Sequence, residues 1–347
     1  MTERPFKKVR LIGLLLLLLL AFLLDLSTGT VPISLKEIVR VLLSPGTADQ
    51  TGQFIIRSIR LPKSCTAVLV GCGLSVGGLQ MQTLFRNPLA DPSILGITAG
   101  ASLGVASVML AGGSMATLFA IRELGVSGSW LIITAACIGA GIVMALVLAL
   151  SRRLRDNVMM LIVGIMIGSI TLALTSIWQY FSNPQQVKEY LLWTFGSLGG
   201  VNGVQLSMLA VIVAIGLVTA LLSSKMLDAL LLGENYARSM GLSAPRARLI
   251  IICSTSLLAG SITAFCGPIG FIGVAVPHIA RFLFHTASHR ILIPACCLIG
   301  TTLLLLCDAL AQIPGSQTIL PINIITSLVG APLVIALLLR QTTIHAW

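Results

Sequence analysis

The sequence predicts an all-α polytopic membrane protein of about ten transmembrane helices, with both termini cytoplasmic. Three observations carry this. Of 347 residues, 56% are hydrophobic and only 10% charged, where a soluble domain carries about 25% charged residues. The apolar residues form continuous runs of the length a bilayer-crossing helix needs, about 20 residues. They do not alternate with polar ones, as strands of a spanning barrel do. A soluble enzyme and a disordered chain are therefore excluded, and residues 1–347 read as one membrane domain.

The elements follow in order. Ten apolar runs lie near 11–28, 64–84, 93–113, 129–150, 158–181, 204–223, 249–266, 270–286, 291–311 and 321–339. The first follows Arg4, Lys7, Lys8 and Arg10, as a signal peptide would. No small-residue cleavage site comes after it and nine more runs do, so it is expected to be retained. An even number of spans puts both termini on one side. That side would hold Arg4, Lys7, Lys8, Arg10, Arg86, Arg152, Arg153, Arg155, Lys225, Arg238, Arg246, Arg248, Arg281, Arg290 and Arg340, 15 of the 22 basic residues. The positive-inside rule makes it the cytoplasm. The same rule explains the net charge of +11 without nucleic acid, since no basic stripe carries interleaved aromatics.

Segment 29–63 is then external. Its run Ser34–Leu35–Lys36–Glu37 is a capping box, followed by Leu35, Ile38 and Leu42 at helical spacing. A short helix lying at the interface is expected. Segment 224–248 is cytoplasmic: Glu234 suits a helix start, Gly241 a helix stop, and Ser243 can cap a new helix with Pro245 in its first turn. The small-residue pairs Gly73/Gly77, Gly96/Gly100/Gly104 and Gly164/Gly168 each share a helix face. They mark close helix contacts or a wall along a substrate path.

Sites of chemistry are few. No Lys follows a Gly, so the chain has no P-loop of the G-x-x-x-x-G-K-[ST] type. Asp308 is the acid well inside a run and is expected to pair with a polar neighbour, while Asp25 is expected near the interface. The eight cysteines lie in or beside apolar runs with no CxxC, and read as small hydrophobes. No metal site is expected. His285 and His289 read as part of a solvated basic face, and His278 as a core histidine. Residues 267–281, GPIGFIGVAVPHIAR, begin with a Gly/Pro stretch that should enter the membrane irregularly, which is tolerated where backbone lines a cavity or is buried in protein.

Residues 60–63 (RLPK), 84–104 (LFRNPLADPSILGITAGASLG), 231–242 (LLGENYARSMGL), 267–281 and 321–332 (PINIITSLVGAP) together resemble the permease subunits of type II ABC importers for iron-siderophores, haem and cobalamin. The resemblance runs from about 54 to 340. It implies a permease domain in a bacterial inner membrane. The implied partners are ATP-binding cassette subunits, a periplasmic or lipoprotein substrate-binding protein, a second permease copy or sister permease, and lipid. ATP and Mg would sit on the partner ATPase, with no cofactor on this chain and no catalysis by it. Gly233, Glu234, Ala237, Arg238 and Gly241 match the helices that fit a cleft on the ATPase. Arg57, Arg60 and Lys63 match cations that face acidic groups on the binding protein. Asn87 and Leu89 match the loop narrowing the cytoplasmic exit, and Gly164, Gly168 and Ser169 are assigned to the translocation path. Two positions depart from the family pattern: Gln312 stands where a basic residue is common, and Asn323 where Gly is usual. Ferric siderophore is the expected cargo, with cobalamin and haem as alternatives. An ion-coupled secondary transporter relying on Asp308 is the reading from another class.

Overall fold

The structure, a computed structural model, describes residues 3–31, 33–43, 50–110, 126–151, 157–312 and 319–341. Among these there is no strand. Helix α1 is Glu3–Ser27, α2 Leu35–Leu43 and α3 Gln50–Phe54. A π-helical turn, Ile55–Arg60, runs straight into α4, Leu61–Phe85. A 3-10 turn at Pro92–Leu95 leads to α5, Ile97–Met109. Then come α6 (Val126–Ser151), α7 (Asn157–Phe181), α8 (Pro184–Thr194) and α9 (Gly203–Leu222). The last group is α10 (Ser224–Leu232), α11 (Glu234–Ser239), α12 (Ala244–Cys266), α13 (Ile272–Phe284), α14 (His289–Ala311) and α15 (Ile322–Gln341).

Seven helices are long and apolar enough to cross a membrane; Ile97–Met109, Ile272–Phe284 and Ile322–Ala336 are apolar but shorter. These ten coincide with the ten apolar runs. Two of the short ones, at Ile97 and Ile272, begin late because the backbone breaks first: Gly96 sits at φ 77° after the 3-10 turn, and Gly267 and Phe271 at 74° and 68°. Of the basic residues used for orientation, Arg152, Arg153 and Arg155 and the side chains of Arg4, Lys7, Lys8 and Arg340 lie outside the described set.

The expected loop 29–63 is more helical than its sequence suggests. Helix α2 forms, with Ser34 Oγ accepting from Glu37 N–H at 3.3 Å. Its buried face is Ile38 and Val41, packed on Leu26, Ile33 and Ile56, while Leu35 is exposed. Beyond it the chain is already helical from Gln50, so Arg57 and Arg60 lie on a helix continuous with α4.

Helix α4 is the centre of the bundle, packed by α14, α12, α13 and α9. Its sequence explains this. It carries glycines at 71, 73, 77 and 78 and polar Gln80, Gln82 and Thr83. In lipid, apolar side chains gain little by leaving the hydrocarbon, so small residues that let backbones meet decide which helix goes inside. Accordingly 78% of the apolar window of both α4 and α12 is buried, against 28% for the Leu/Ile/Met-rich α6, α7 and α9. Gln80 is satisfied within this core by Ser254 and Thr255 of α12, at 3.1 and 3.0 Å.

Gly78 lies against the backbone of Gly273 so closely that a Cβ would overlap its carbonyl. Gly78→Ala is therefore expected to push α4 off α13 at a cost of about 1–3 kcal/mol, read as a lower thermal-unfolding midpoint in detergent. Gly141→Ala, where an added Cβ meets nothing within 4 Å, should leave the midpoint alone. Equal midpoints for the two variants would contradict the packing described.

Candidate functional site

Two ends of the bundle carry polar structure: the Arg86 end, with residues 86–92 and 224–248, and the Arg60 end, with residues 29–63. At the Arg86 end, α10 is stopped by Gly233, whose φ of 122° is a conformation few side chains adopt. Helix α11 follows, and Gly241 at φ 81° ends it. Leu242 N–H donates to Ala237 O at 3.0 Å and Gly241 N–H to Arg238 O at 2.9 Å, the paired bonds of a Schellman stop. Ser243 adopts N-cap geometry for α12, but its side chain makes no capping bond.

This short helix pair is tied to the bundle. Arg86, itself left-handed at φ 47°, donates to Leu230 O at 3.2 Å and Leu231 O at 3.3 Å. Those carbonyls end α10, and the Leu230 oxygen also accepts the Gly233 N–H at 3.1 Å. A Cβ at Gly233 would lie 2.8 Å from Arg86 Nη2, the end of a side chain that can shift, so it is the backbone angle that calls for glycine there. Glu234 turns inward and pairs with Arg248 of α12 at 2.6 Å, and more distantly with Arg238 at 3.7 Å. Ala237 is fully buried. Of the residues matched to the ATPase-facing helices, Ala237 lies on the face of α11 that packs on the chain itself. The outward face is Tyr236, Arg238 and Met240, all at least half exposed. Sequence reading missed Tyr236 and Met240. An exposed aromatic and an exposed Met on a polar segment are the signal that could have found them.

His289 corrects an expectation. It is 1% exposed and not part of a solvated basic face. Its ring Nδ1 lies 2.6 Å from Asp228 Oδ1 of α10, and its Nε2 2.7 Å from Thr83 Oγ1 of α4. Burial raises the Asp228 carboxyl, but the bonds from the His289 ring and backbone N–H outweigh it, holding Asp228 below the ordinary carboxylate range. His278 is a core histidine, with Nε2 2.8 Å from Pro88 O.

In the 86–92 turn, Asn87 Oδ1 accepts from Leu89 N–H at 3.0 Å and Leu89 is exposed. Gly164 and Gly168, assigned to a path, instead face the 92–96 turn. A Cβ on Gly164 would lie 2.6 Å from Ile94 O, and Gly168 rests on Gly96. They serve close packing within the chain. Ser169 is on the opposite, exposed face of α7, its hydroxyl bonded to Ile165 O at 3.0 Å.

At the Arg60 end, the expected row of docking cations is divided. Arg57 is exposed and donates to Val41 O at 3.3 Å. Arg60 is buried and donates to the carbonyls of Leu26, Ser27 and Val31, where α1 ends with unsatisfied oxygens. Lys63 pairs with Asp308 at 2.9 Å. Arg60 and Lys63 are thus turned inward, because helical continuation from Gln50 carries them around to the α1 and α14 side. Asp25 is buried, not interfacial: it accepts from Ser64 Oγ at 2.5 Å and faces Asp308. Gln312 donates to the Asp308 carbonyl and carboxylate at 3.3 Å. Asn323 Oδ1 accepts the Gly270 N–H at 3.0 Å, so the unusual amide satisfies the irregular 267–271 backbone. A cavity of about 770 Å³ opens here, bordered by Arg60, Lys63, Asp308, Gln312 and the 196–200 loop. Among the described residues no group of three His, Cys, Asp or Glu could hold a metal ion.

The arrangement pairs an inner bundle with a short helical hairpin tied to it at one end, and it has matches among known proteins. The FecCD transport family model matches residues 17–340. The chain belongs to the FecCD transport family. It is thereby a permease subunit of the type II ABC importer kind. The vitamin B12 import system permease protein BtuC of Klebsiella pneumoniae subsp. pneumoniae is 35% identical over 332 residues, covering 95% of this chain and 93% of that protein. BtuC of Salmonella paratyphi A is 34% identical over 333 residues, 95% of each. A metal-chelate type ABC transporter in an inward-facing conformation superposes with a TM-score of 0.81 at 30% identity, over 96% of this chain and 99% of that one.

Proposed function

We propose that this chain is the membrane subunit of an importer that moves a metal chelate across a bacterial inner membrane, driven by ATP hydrolysed on a separate subunit. Ten helices would cross the membrane with both termini cytoplasmic, so the Arg86 end faces the ATPase and the Arg60 end a substrate-binding protein. A second copy or a sister permease would complete the path, which the exposed face of α7 with Ser169 would border. No cofactor is assigned to this chain; ATP and Mg belong to the partner. Names of the relatives weigh toward cobalamin over the ferric siderophore expected from sequence.

One observation carries this reading: the α10–Gly233–α11 hairpin presents Tyr236, Arg238 and Met240 outward while Arg86 and Glu234 fasten it to α4 and α12. A surface so exposed and so firmly anchored suits a partner that pushes on it. The test is purification of a tagged chain from its own membranes in mild detergent, with identification of what accompanies it. The complex is then placed in vesicles with its binding protein and offered radiolabelled cyanocobalamin or a radiolabelled ferric hydroxamate. A P-loop ATPase in equal amount and ATP-dependent uptake of one probe are expected. A chain that purifies alone and moves either probe without ATP would overturn the importer reading and return Asp308 to an ion-coupling role.

A further inference from the structure

Helices α4 and α14 are joined at three levels. At the Arg86 end, His289 in the first turn of α14 meets Thr83 in the last turn of α4 at 2.7 Å. In the middle, Gly71 and Gly300 bring the backbones together so that a Cβ on either would overlap the other. There Ser75 Oγ bonds Cys296 O at 2.9 Å and Thr301 Oγ1 donates to Val68 O at 3.1 Å. At the Arg60 end, Lys63 pairs with Asp308 at 2.9 Å. Two helices bonded at both ends and interlocked at the centre cannot slide past one another without breaking all three contacts. They must move as one body, about 35 Å long for the 23 residues of α14.

The coupling hairpin is attached to that body at two polar side chains: Arg86 at the end of α4, which bonds the carbonyls of Leu230 and Leu231, and Asp228, which reaches α14. Asp228 of α10 accepts the backbone N–H of His289 at 2.8 Å and its ring Nδ1–H at 2.6 Å. It caps α14 from another helix, where Ser288, the chain's own N-cap, offers no side-chain bond. A carboxylate is favoured at a helix start. Asp228 lies five residues before Gly233, so displacement of the hairpin bears directly on it.

We propose that α4 and α14 form a rigid lever carrying motion from the hairpin to the Arg60 end, with Asp228, His289 and Thr83 as the positioning residues that attach it. This rests on the importer reading above. The Arg86 bonds to α10 act in parallel on the α4 side of the same body, so Asp228 and His289 carry part of the motion and Arg86 the rest.

The test uses the permease–ATPase complex in nanodiscs. Ser197, exposed beside the 770 Å³ cavity at the Arg60 end, is replaced by Cys in a background where the exposed Cys137 is Ser. Labelling by a membrane-impermeant maleimide is timed without nucleotide and with ATP plus vanadate. Nucleotide is expected to change the rate about fivefold, the low end of coupling between distant sites. His289→Ala and Thr83→Val should each cut that change by at least half while the ATPase still co-purifies. Asp228→Ala with His289→Ala should do no more than either alone, because one connection is cut. If His289→Ala fails to fold, Thr83→Val decides, since it exchanges a hydroxyl for a methyl of the same shape. A nucleotide effect of wild-type size in Thr83→Val overturns the lever. So does a wild-type complex that binds ATPase but shows no nucleotide effect at Ser197, and the importer reading then stands. A wild-type chain that binds no ATPase removes both.

Discussion

Lys63→Met is expected to lower the stability of the purified protein by about 3–5 kcal/mol, because it strips the cation from a buried ion pair. Asp308 is 2% exposed and Asp25 3%, and the two carboxyls face each other with Lys63 as the cation bonded to Asp308. Gln312 offers Asp308 an amide at 3.3 Å, which cannot replace a charge. Removing one partner of a buried pair leaves the other uncompensated, whereas removing both together is often nearly neutral. The double variant Lys63→Met with Asp308→Leu should therefore recover most of the loss. Thermal unfolding in detergent, followed by loss of monodisperse protein, measures both. A Lys63→Met protein that melts with the wild type would mean the Lys63–Asp308 pair does not hold the Arg60 end together. The same result would reopen Lys63 as a docking cation.

Tyr236→Ala should release the ATPase subunit. Tyr236 is 50% exposed and Met240 64%, on a polar segment outside the apolar spans. Aromatic, Met and Arg side chains concentrate at the centres of protein interfaces, and truncating such an anchor costs about 2 kcal/mol or more. That corresponds to roughly thirtyfold weaker association. The measurement is the amount of ATPase retained on the tagged permease, with the thermal midpoint recorded alongside. Loss of the partner at an unchanged midpoint is the expected result. Ala237→Glu provides the contrast: it drives a carboxylate into a fully buried position and should lower the midpoint itself. Full retention of the ATPase by Tyr236→Ala would place the contact on another face.

The same contrast marks what was legible beforehand. The ten helical segments follow from apolar run length alone, and the hairpin at 233–241 from two glycines and an acid. The resemblance to permeases implies a coupling role for the segment. Which of its residues face outward was not legible, because a six-residue helix has too few positions for a hydrophobic stripe to be told from chance. Arg60 and Lys63 show the matching failure on the other side. Read as part of a loop they are free cations; once the helix is known to begin at Gln50, their positions on it face α1 and α14. His289 looked solvated because Arg290 and His285 are its neighbours in sequence, and its actual partners lie 61 and 206 residues away.

By itself the sequence determined the class of solvent, the number of apolar helices and the family, because burial in lipid is a property of each segment and needs no knowledge of its neighbours. Only the tertiary structure decided the pairings: Lys63 with Asp308, Asp25 with Ser64, Asp228 with His289 and Thr83, and Asn323 with Gly270. A charge or amide inside an apolar bundle must find a partner wherever the fold brings one, and that choice is made by helix packing across hundreds of residues. Glycine contacts such as Gly71 with Gly300 and Gly78 with Gly273 set that packing, and local pattern marks the glycines without saying which of them meet.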